Sequence, residues 1–169
     1  IYVSTFSKML VPGLRVGFIV ADGPVYESLL NYKRLSDLAT STLIQRALDA
    51  FVTVGRYQTY LHRSCQTFRK RRDAMIKAID HHLPGKVSFD MPSGGLFIWL
   101  RLPDSISANE LLPLACKEGI AFVPGKYFFI DHLHGDEWMR LNFVSQPADD
   151  IEEGIKRLGV AIRKLKAQK

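Results

Sequence analysis

The sequence has few of the features that assign a chain to a specialised class. Its only two cysteines in 169 residues, Cys65 and Cys116, are not spaced from each other or from the five histidines as disulfide or zinc ligands are. We therefore expect reduced thiols and a cytoplasmic protein. No apolar run approaches the roughly 18–20 residues of a membrane span, and no signal peptide is visible. No membrane partner is expected.

The charge pattern gives little support for nucleic-acid or metal binding within the chain. The formal net charge of +6 is moderate, and the one dense basic run, "FRKRRD" at 68–73, falls on a long helix, where such cations usually form a solvated face. The sequence lacks a G-x-x-x-x-G-K-[ST] phosphate loop. The string "DHLHGDE" at 131–137 contains His132 and His134 but no i, i+4 histidine pair, so no metal site is predicted.

The distribution of apolar residues predicts mixed helix and sheet. Composition is ordinary for a globular chain, with 47% hydrophobic and 24% charged residues. Periodicity predicts strands at 1–3, 14–21, 86–89, 95–102, 119–125 and 138–144, and helices at 25–35, 41–54, 56–82, 108–118 and 149–164. This order predicts an α/β part over 1–55, a long connecting helix at 56–83 and a compact α+β part over 84–169. The first residue is not methionine and the first strand starts at once, which favours a fragment of a longer chain.

The stretch "STFSKMLVPGLRVGF" at 4–18 contains the strongest candidate for chemistry. Lys8 is flanked by the hydroxyls of Thr5 and Ser7, and a Pro-Gly turn brings Arg15 shortly afterwards. Hydroxyls and a guanidinium bind phosphate oxygens well. An amine beside such a group suggests a phosphorylated carbonyl cofactor, which points to pyridoxal 5'-phosphate. From these residues alone, a solvated lysine at a strand end remains the alternative.

Arg15 is the second unusual residue of this stretch. The pattern places it on an otherwise apolar strand, where a guanidinium needs a partner because burying it without one costs several kcal/mol.

The complete string resembles the Schiff-base lysine segment of fold-type-I pyridoxal-phosphate enzymes, specifically the class I/II aminotransferases. In that family S/T-x-S-K is followed by P-G-x-R-x-G. Three further strings, "PSGGLFIWLRLP", "GIAFVPGKYF" and "MRLNFV", resemble later segments of the family in the same order. The resemblance implies that Lys8 is the Schiff-base lysine and proton shuttle. It also implies that Thr5, Ser7 and Arg15 bind the cofactor phosphate and that Arg140 binds the substrate carboxylate.

The resemblance further implies a fold, substrates and an assembly. Residues 1–55 would be the C-terminal end of the large cofactor-binding domain, 56–83 an interdomain helix and 84–169 the small domain. Amino acids and 2-oxo acids would be the substrates, and the full-length protein would be a homodimer. The family's other cofactor contacts precede the lysine, so we expect this chain to be inactive in isolation.

Two alternatives stay open at this stage. The string "VGRYQTYLHRSCQTFRKRRDAMIKAI" also resembles the corresponding helix of MocR-type regulators, in which a winged-helix DNA-binding domain precedes an aminotransferase-like domain. There the same lysine would bind cofactor as an effector, and nucleic acid would be bound only by a domain outside this sequence.

The aromatic residues Phe97, Trp99, Phe128 and Phe129 are expected in a core or domain interface, with 127–129 candidates for shaping a substrate pocket.

Overall fold

Short strands and longer helices follow one another irregularly, and the computed structural model describes them for residues 1–83, 87–103, 105–131 and 134–168. The strands are β1 Tyr2–Thr5, β2 Gly17–Val20, β3 Ser88–Phe89, β4 Phe97–Arg101, β5 Val123–Pro124 and β6 Trp138–Asn142, and the helices are α1 Val25–Asp37, α2 Thr42–Thr53, α3 Arg56–His82, α4 Ala108–Lys117 and α5 Ala148–Ala167. Single turns of 3-10 helix span Pro12–Leu14 and Gly125–Phe128. The structure divides into two units, Ile1–Ser64 and Cys65–Lys169, with the division inside α3.

The first unit consists of a two-stranded ribbon and helices with little buried surface. Strands β1 and β2 pair antiparallel, from Tyr2 opposite Val20 to Thr5 opposite Gly17. All four residues of β2 are exposed. Among the described residues of this unit, the buried hydrophobic side chains are Val16 and Leu48. A two-stranded ribbon with so little covering is marginal by itself.

The second unit has a four-stranded antiparallel sheet in the order β3-β4-β6-β5. Because side chains alternate along a strand, β4 and β6 direct Ile98, Leu100, Met139 and Leu141 to one face, where all four are buried. These residues share a core with α3, α4 and α5, and α4 packs on α5. The intervening positions place aromatic and arginine side chains on the opposite face of β4 and β6.

The observed bounds correct the prediction that Arg15 lies on a strand. The apolar run at 14–21 forms strand only at Gly17–Val20, because the Pro12–Leu14 turn is followed by Arg15 in the left-handed conformation, with φ of 52°. The predicted strand at 119–125 is also shorter. Gly119, with φ of 79°, turns the chain after α4 and residues 120–122 form no strand, so only Val123–Pro124 is strand before the Gly125–Phe128 turn begins. The predicted helix stop at Pro84-Gly85 and strand start at Lys86 lie outside the described residues.

The basic run in α3 is partly structural, in contrast to the solvated face expected from the sequence. Arg71 donates to the carbonyl of Val144. Arg72 donates to the carbonyl of Pro92 at 3.0 Å and to the Asp73 carboxylate at 2.7 Å. Two of these cations therefore connect the helix to neighbouring loops.

The remaining expectations about cysteines, metals and membranes concern absences. Cys65 and Cys116 are free and exposed. Within the described ranges, no three His, Cys, Asp or Glu side chains lie close enough to hold a metal ion, and His132 lies outside those ranges. None of the described helices is both long and apolar enough to cross a bilayer.

Candidate functional site

Lys8 lies in a single tight turn that leaves the end of β1. The Leu10 N–H donates to the Phe6 carbonyl at 2.8 Å, which closes one helical turn around Ser7, Lys8 and Met9. The Phe6 N–H donates to the carbonyl of Val16 at 3.0 Å and so fixes the turn to the segment before β2. The Lys8 side chain is exposed. It makes no ion pair or hydrogen bond with any residue that the structure describes, so its amine is available to a ligand.

The hydroxyls of Thr5 and Ser7 form a small network beside that lysine. Thr5 Oγ1 lies 3.1 Å from both Ser7 Oγ and the Val16 carbonyl, and it accepts the Ser7 N–H at 3.1 Å. Ser7 is the buried polar residue among the described positions. A hydroxyl carries only one hydrogen. If Thr5 donates its hydrogen to Ser7 Oγ, the Ser7 hydrogen is left to point at a ligand.

Arg15 completes the cluster from the other side of the loop. Its Nη1 lies 3.5 Å from Ser7 Oγ and 3.4 Å from the Pro12 carbonyl. Both distances are at the long limit for hydrogen bonds, so most of the guanidinium's capacity is unused. No carboxylate pairs with Arg15 among the residues described. A left-handed conformation costs roughly 1–2 kcal/mol for a residue with a side chain, and strain of this kind is often kept at functional sites.

Two tyrosines from the start of α3 support the same turn and were not predicted from the sequence. The Tyr60 hydroxyl donates to the Leu10 carbonyl at 3.5 Å. Tyr57 places its ring 6.1 Å from that of Phe6 and its hydroxyl 3.9 Å from Met9 Sδ. Burial, and then the nearby Tyr2, raise the pKa of Tyr57 above its ordinary value. Gly17 lets the two strands approach, because a Cβ there would lie 3.1 Å from the Ser4 carbonyl oxygen.

Arg140 lies in the second unit, on the aromatic face of the sheet. Its guanidinium carbon is 4.1 Å from the centroid of the Phe97 ring and 4.7 Å from that of Phe128. It forms no ion pair or hydrogen bond with any described residue. A cavity of about 220 Å³ opens beside it, lined by Phe97, Ala121, Phe122, Val123, Arg140 and Asn142.

The structure therefore brings four of the five predicted site residues together, at the end of β1 and in the loop that follows it. Thr5, Ser7, Lys8 and Arg15 provide two hydroxyls, an amine and a guanidinium, and none of the described carboxylates pairs with either cation. This set of donors fits a phosphate ester whose reactive group is within reach of an amine. Arg140 belongs to the second unit. Its planar donor edge fits a carboxylate.

The chain matches known proteins along nearly its whole length. The family profile "Aminotransferase class I and II" matches residues 1–158. The aromatic-amino-acid aminotransferase 1 of Thermococcus litoralis is 39% identical over 96% of this chain, and the match spans 39% of that protein. An uncharacterized HTH-type transcriptional regulator of Bacillus subtilis, YdfD, is 32% identical over 98% of this chain and 34% of the regulator.

The chain is also similar in three-dimensional structure to a solved aminotransferase. The α-aminoadipate aminotransferase LysN of Thermus thermophilus, complexed with N-(5'-phosphopyridoxyl)-L-leucine, superposes with a TM-score of 0.90 at 36% identity, covering 99% of this chain and 43% of LysN. The predicted fold class is thereby confirmed, as a mixed helix-and-sheet part of the aminotransferase fold. The chain spans about 40% of the length of the aminotransferases it matches. Its motifs, its fold and its family profile agree, and the chain belongs to the class I and II aminotransferases.

Proposed function

We propose that the full-length protein transfers an amino group between an amino acid and a 2-oxo acid, with pyridoxal 5'-phosphate as cofactor and Lys8 as catalytic residue. The observation that carries this proposal is the cluster of Thr5, Ser7, Lys8 and Arg15 at the end of β1 and in the loop that follows it. The phosphopyridoxyl ligand bound to LysN supports the choice of cofactor.

The cluster has two tasks in this proposal: three residues bind the cofactor phosphate, and the lysine carries the proton. Thr5, Ser7 and Arg15 hold the phosphate, since the two hydroxyls and the guanidinium converge and no described carboxylate competes with the phosphate for the guanidinium. When bound, pyridoxal 5'-phosphate supplies an electron-withdrawing ring that stabilises negative charge at the substrate Cα. Lys8 would take the proton from the substrate Cα and give it to the cofactor carbon C4′, acting as general base and then as general acid. Its turn, held by Phe6, Tyr57 and Tyr60, limits where the amine can reach.

Arg140 is proposed to orient the substrate. A bidentate pair between its guanidinium and the α-carboxylate fixes both the position and the rotation of the amino acid. The small cavity beside it leaves room for the carboxylate end of a substrate.

The lysine assignment can be tested by covalent trapping in the full-length protein. Borohydride reduction in the presence of pyridoxal 5'-phosphate, followed by peptide mapping, should place the label on Lys8. Lys8→Ala should lose the label and at least about a thousandfold in amino transfer, because it removes both the attachment point and the proton carrier. Lys77→Ala, at an exposed lysine of α3, is the matched control and should keep both. A label found only on other lysines would overturn the assignment.

The phosphate cluster can be tested by comparing cofactors with and without phosphate. Arg15→Gln should weaken binding of pyridoxal 5'-phosphate by about 10- to 100-fold, as expected for a charge-assisted hydrogen bond. Binding of pyridoxal, which has no phosphate, should change little. Arg34→Gln, at an exposed arginine of α1, is the control. Equal losses for both ligands would show that Arg15 acts elsewhere.

A regulator is the second candidate function, and the match to YdfD favours it specifically. In that case the same loop would bind pyridoxal 5'-phosphate as an effector, and DNA would be bound by a domain outside this sequence. The gene sequence upstream discriminates: a winged-helix segment of roughly 70–100 residues supports the regulator. An aminotransferase domain without such a segment, and with measurable amino transfer, supports the enzyme.

We further propose a homodimer for the full-length protein, to be checked by light scattering.

A further inference from the structure

The guanidinium of Arg140 is held by aromatic rings instead of carboxylates. Its central carbon lies within 5 Å of the centroids of Phe97 and Phe128, inside the range of about 6 Å over which a cation is attracted to a ring. None of the described carboxylates forms an ion pair with it. Arginine is rarely fully buried unless it is paired, and here the partly buried guanidinium has aromatic rings in place of a paired acid.

Both rings are fixed by the fold. Trp99 is the residue directly opposite Arg140 in the β4–β6 register, so Phe97, two positions earlier on β4, is its diagonal neighbour. Phe128 ends the Gly125–Phe128 turn, and its ring meets Trp99 edge-on at 5.3 Å. Trp99 in turn stacks on Trp138 at 5.5 Å and 12°.

The turn that carries Phe128 cannot shift easily. A Cβ at Gly125 would lie 2.5 Å from the Cβ of Trp138 and 2.6 Å from the Gly135 carbonyl oxygen. The turn therefore lies directly on β6. Phe128 itself remains partly exposed, at 47%, so it can be replaced without opening the core.

A ring and a carboxylate use different parts of a guanidinium. Attraction to an aromatic face needs only the positive charge and leaves the N–H groups available in the plane of the group. An acidic partner inside the protein would occupy those donors and neutralise the charge. Rings can therefore hold Arg140 in one orientation and still leave its donor edge free.

We propose that Phe97 and Phe128 are positioning residues that hold Arg140 with its N–H edge directed at the substrate α-carboxylate. This inference rests on the proposed function, since it assumes that Arg140 binds the carboxylate. The rings reduce the side-chain freedom that the arginine loses when it binds.

The test measures carboxylate affinity in the full-length holoenzyme. Phe128→Leu should raise the inhibition constant of propionate and the KM of an amino-acid substrate by about three- to tenfold, the range of an exposed to partly buried cation–π contact. The rate constant kcat should change little, because the lost interaction acts on bound substrate and transition state alike. An amine substrate without a carboxylate should keep its KM. Phe128→Tyr should behave like the wild type, and Phe97→Leu like Phe128→Leu.

Two controls separate this inference from the proposed function. Ile130→Ala removes a fully exposed apolar side chain two residues after Phe128, and it should leave the propionate constant unchanged. Arg140→Gln should raise that constant more than any ring variant. If Arg140→Gln does so and neither Phe97→Leu nor Phe128→Leu does, the positioning role is wrong and the carboxylate site stands. If Arg140→Gln has no effect either, the carboxylate assignment itself is wrong. A loss in Phe128→Tyr equal to that in Phe128→Leu also overturns the inference.

Discussion

The two units differ sharply in how much apolar surface they cover. In Cys65–Lys169 a continuous core includes Ile98, Leu100 and Leu158, all 0% exposed. In Ile1–Ser64 the ribbon leaves Val3 at 67% and Ile19 at 54% exposed. Hydrophobic stabilisation follows the apolar area removed from water, so the second unit supplies most of this chain's stability.

This contrast separates the proposed binding tasks. The proposed cofactor cluster lies at the end of β1 and in the loop after it, supported within the unit by a short ribbon and two tyrosines. Arg140, proposed to bind the carboxylate, lies in the middle of a well-packed sheet. Side chains on packed strands are held more precisely than those on loops. We therefore expect the geometry around Arg140 to tolerate perturbation better than the geometry around Lys8.

The largest expected effect on stability comes from comparing the same substitution, isoleucine to alanine, at one position in each unit. Ile98→Ala should lower the free energy of unfolding by about 2–5 kcal/mol, because it leaves a cavity in the core. Ile19→Ala removes the same atoms from an exposed position and should change it by less than about 0.5 kcal/mol. Urea unfolding followed by far-UV circular dichroism measures both. Equal losses would show that the ribbon contributes to the same cooperative core.

A pair of glycines in α5 probes packing within the second unit. A Cβ at Gly159 would lie 2.4 Å from the carbonyl oxygen of His82, which is backbone and cannot move aside easily. Gly159→Ala should therefore cost about 1–3 kcal/mol. A Cβ at Gly154 would meet only Ile120 Cδ1 at 3.7 Å, so Gly154→Ala should stabilise the helix by about 0.5–1 kcal/mol. Thermal unfolding distinguishes them, and a destabilised Gly154→Ala would contradict the packing described.

Residues with local and periodic determinants were predicted well. The helix at 56–82 was predicted with the bounds that α3 has, because its apolar spacing is regular and Gly55 precedes it. The amphipathic C-terminal helix was predicted a few residues too short. The division into units falls within α3, and the assignment of 1–55 and 84–169 to separate domains stays a prediction.

Residues whose environment depends on distant partners were not predicted. The prediction that Arg15 lies on a strand was wrong, because an apolar run does not reveal that one of its residues has a left-handed backbone conformation. Tyr57 and Tyr60 contact a turn about fifty positions earlier, and sequence spacing does not reveal such contacts. The rings around Arg140 come from β4 and from the turn before β6, so only the sheet register brings them together. The family resemblance implied the proposed roles of the site residues, but it did not predict the tyrosines that contact the Lys8 turn or the rings around Arg140.

A smaller effect is expected at Arg15, where the left-handed conformation should lower the stability of the first unit while the guanidinium serves the proposed phosphate binding. Arg15→Asn should raise the free energy of unfolding by about 0.5–1 kcal/mol, because asparagine tolerates the left-handed conformation better. The same variant should bind pyridoxal 5'-phosphate more weakly in the full-length protein, because the guanidinium is lost. Denaturation and cofactor titration measure the two effects separately. A variant that is less stable would show that the Arg15 contacts to Ser7 and Pro12 outweigh the strain.

The smallest effect concerns a surface pair in α5. A hydrogen bond from Arg157 at 2.9 Å, and then the charge of Lys156, hold the pKa of Glu153 below its ordinary value. A lowered carboxyl pKa stabilises the folded state above the ordinary pKa, and that contribution is lost as the pH falls through the folded value. Arg157→Gln should therefore raise the pKa of Glu153 in an NMR titration, whereas Arg163→Gln should not. The stability difference between the wild type and Arg157→Gln should shrink in acid and in high salt, because exposed pairs are strongly screened. An unchanged Glu153 titration in Arg157→Gln would show that the arginine is not the main cause.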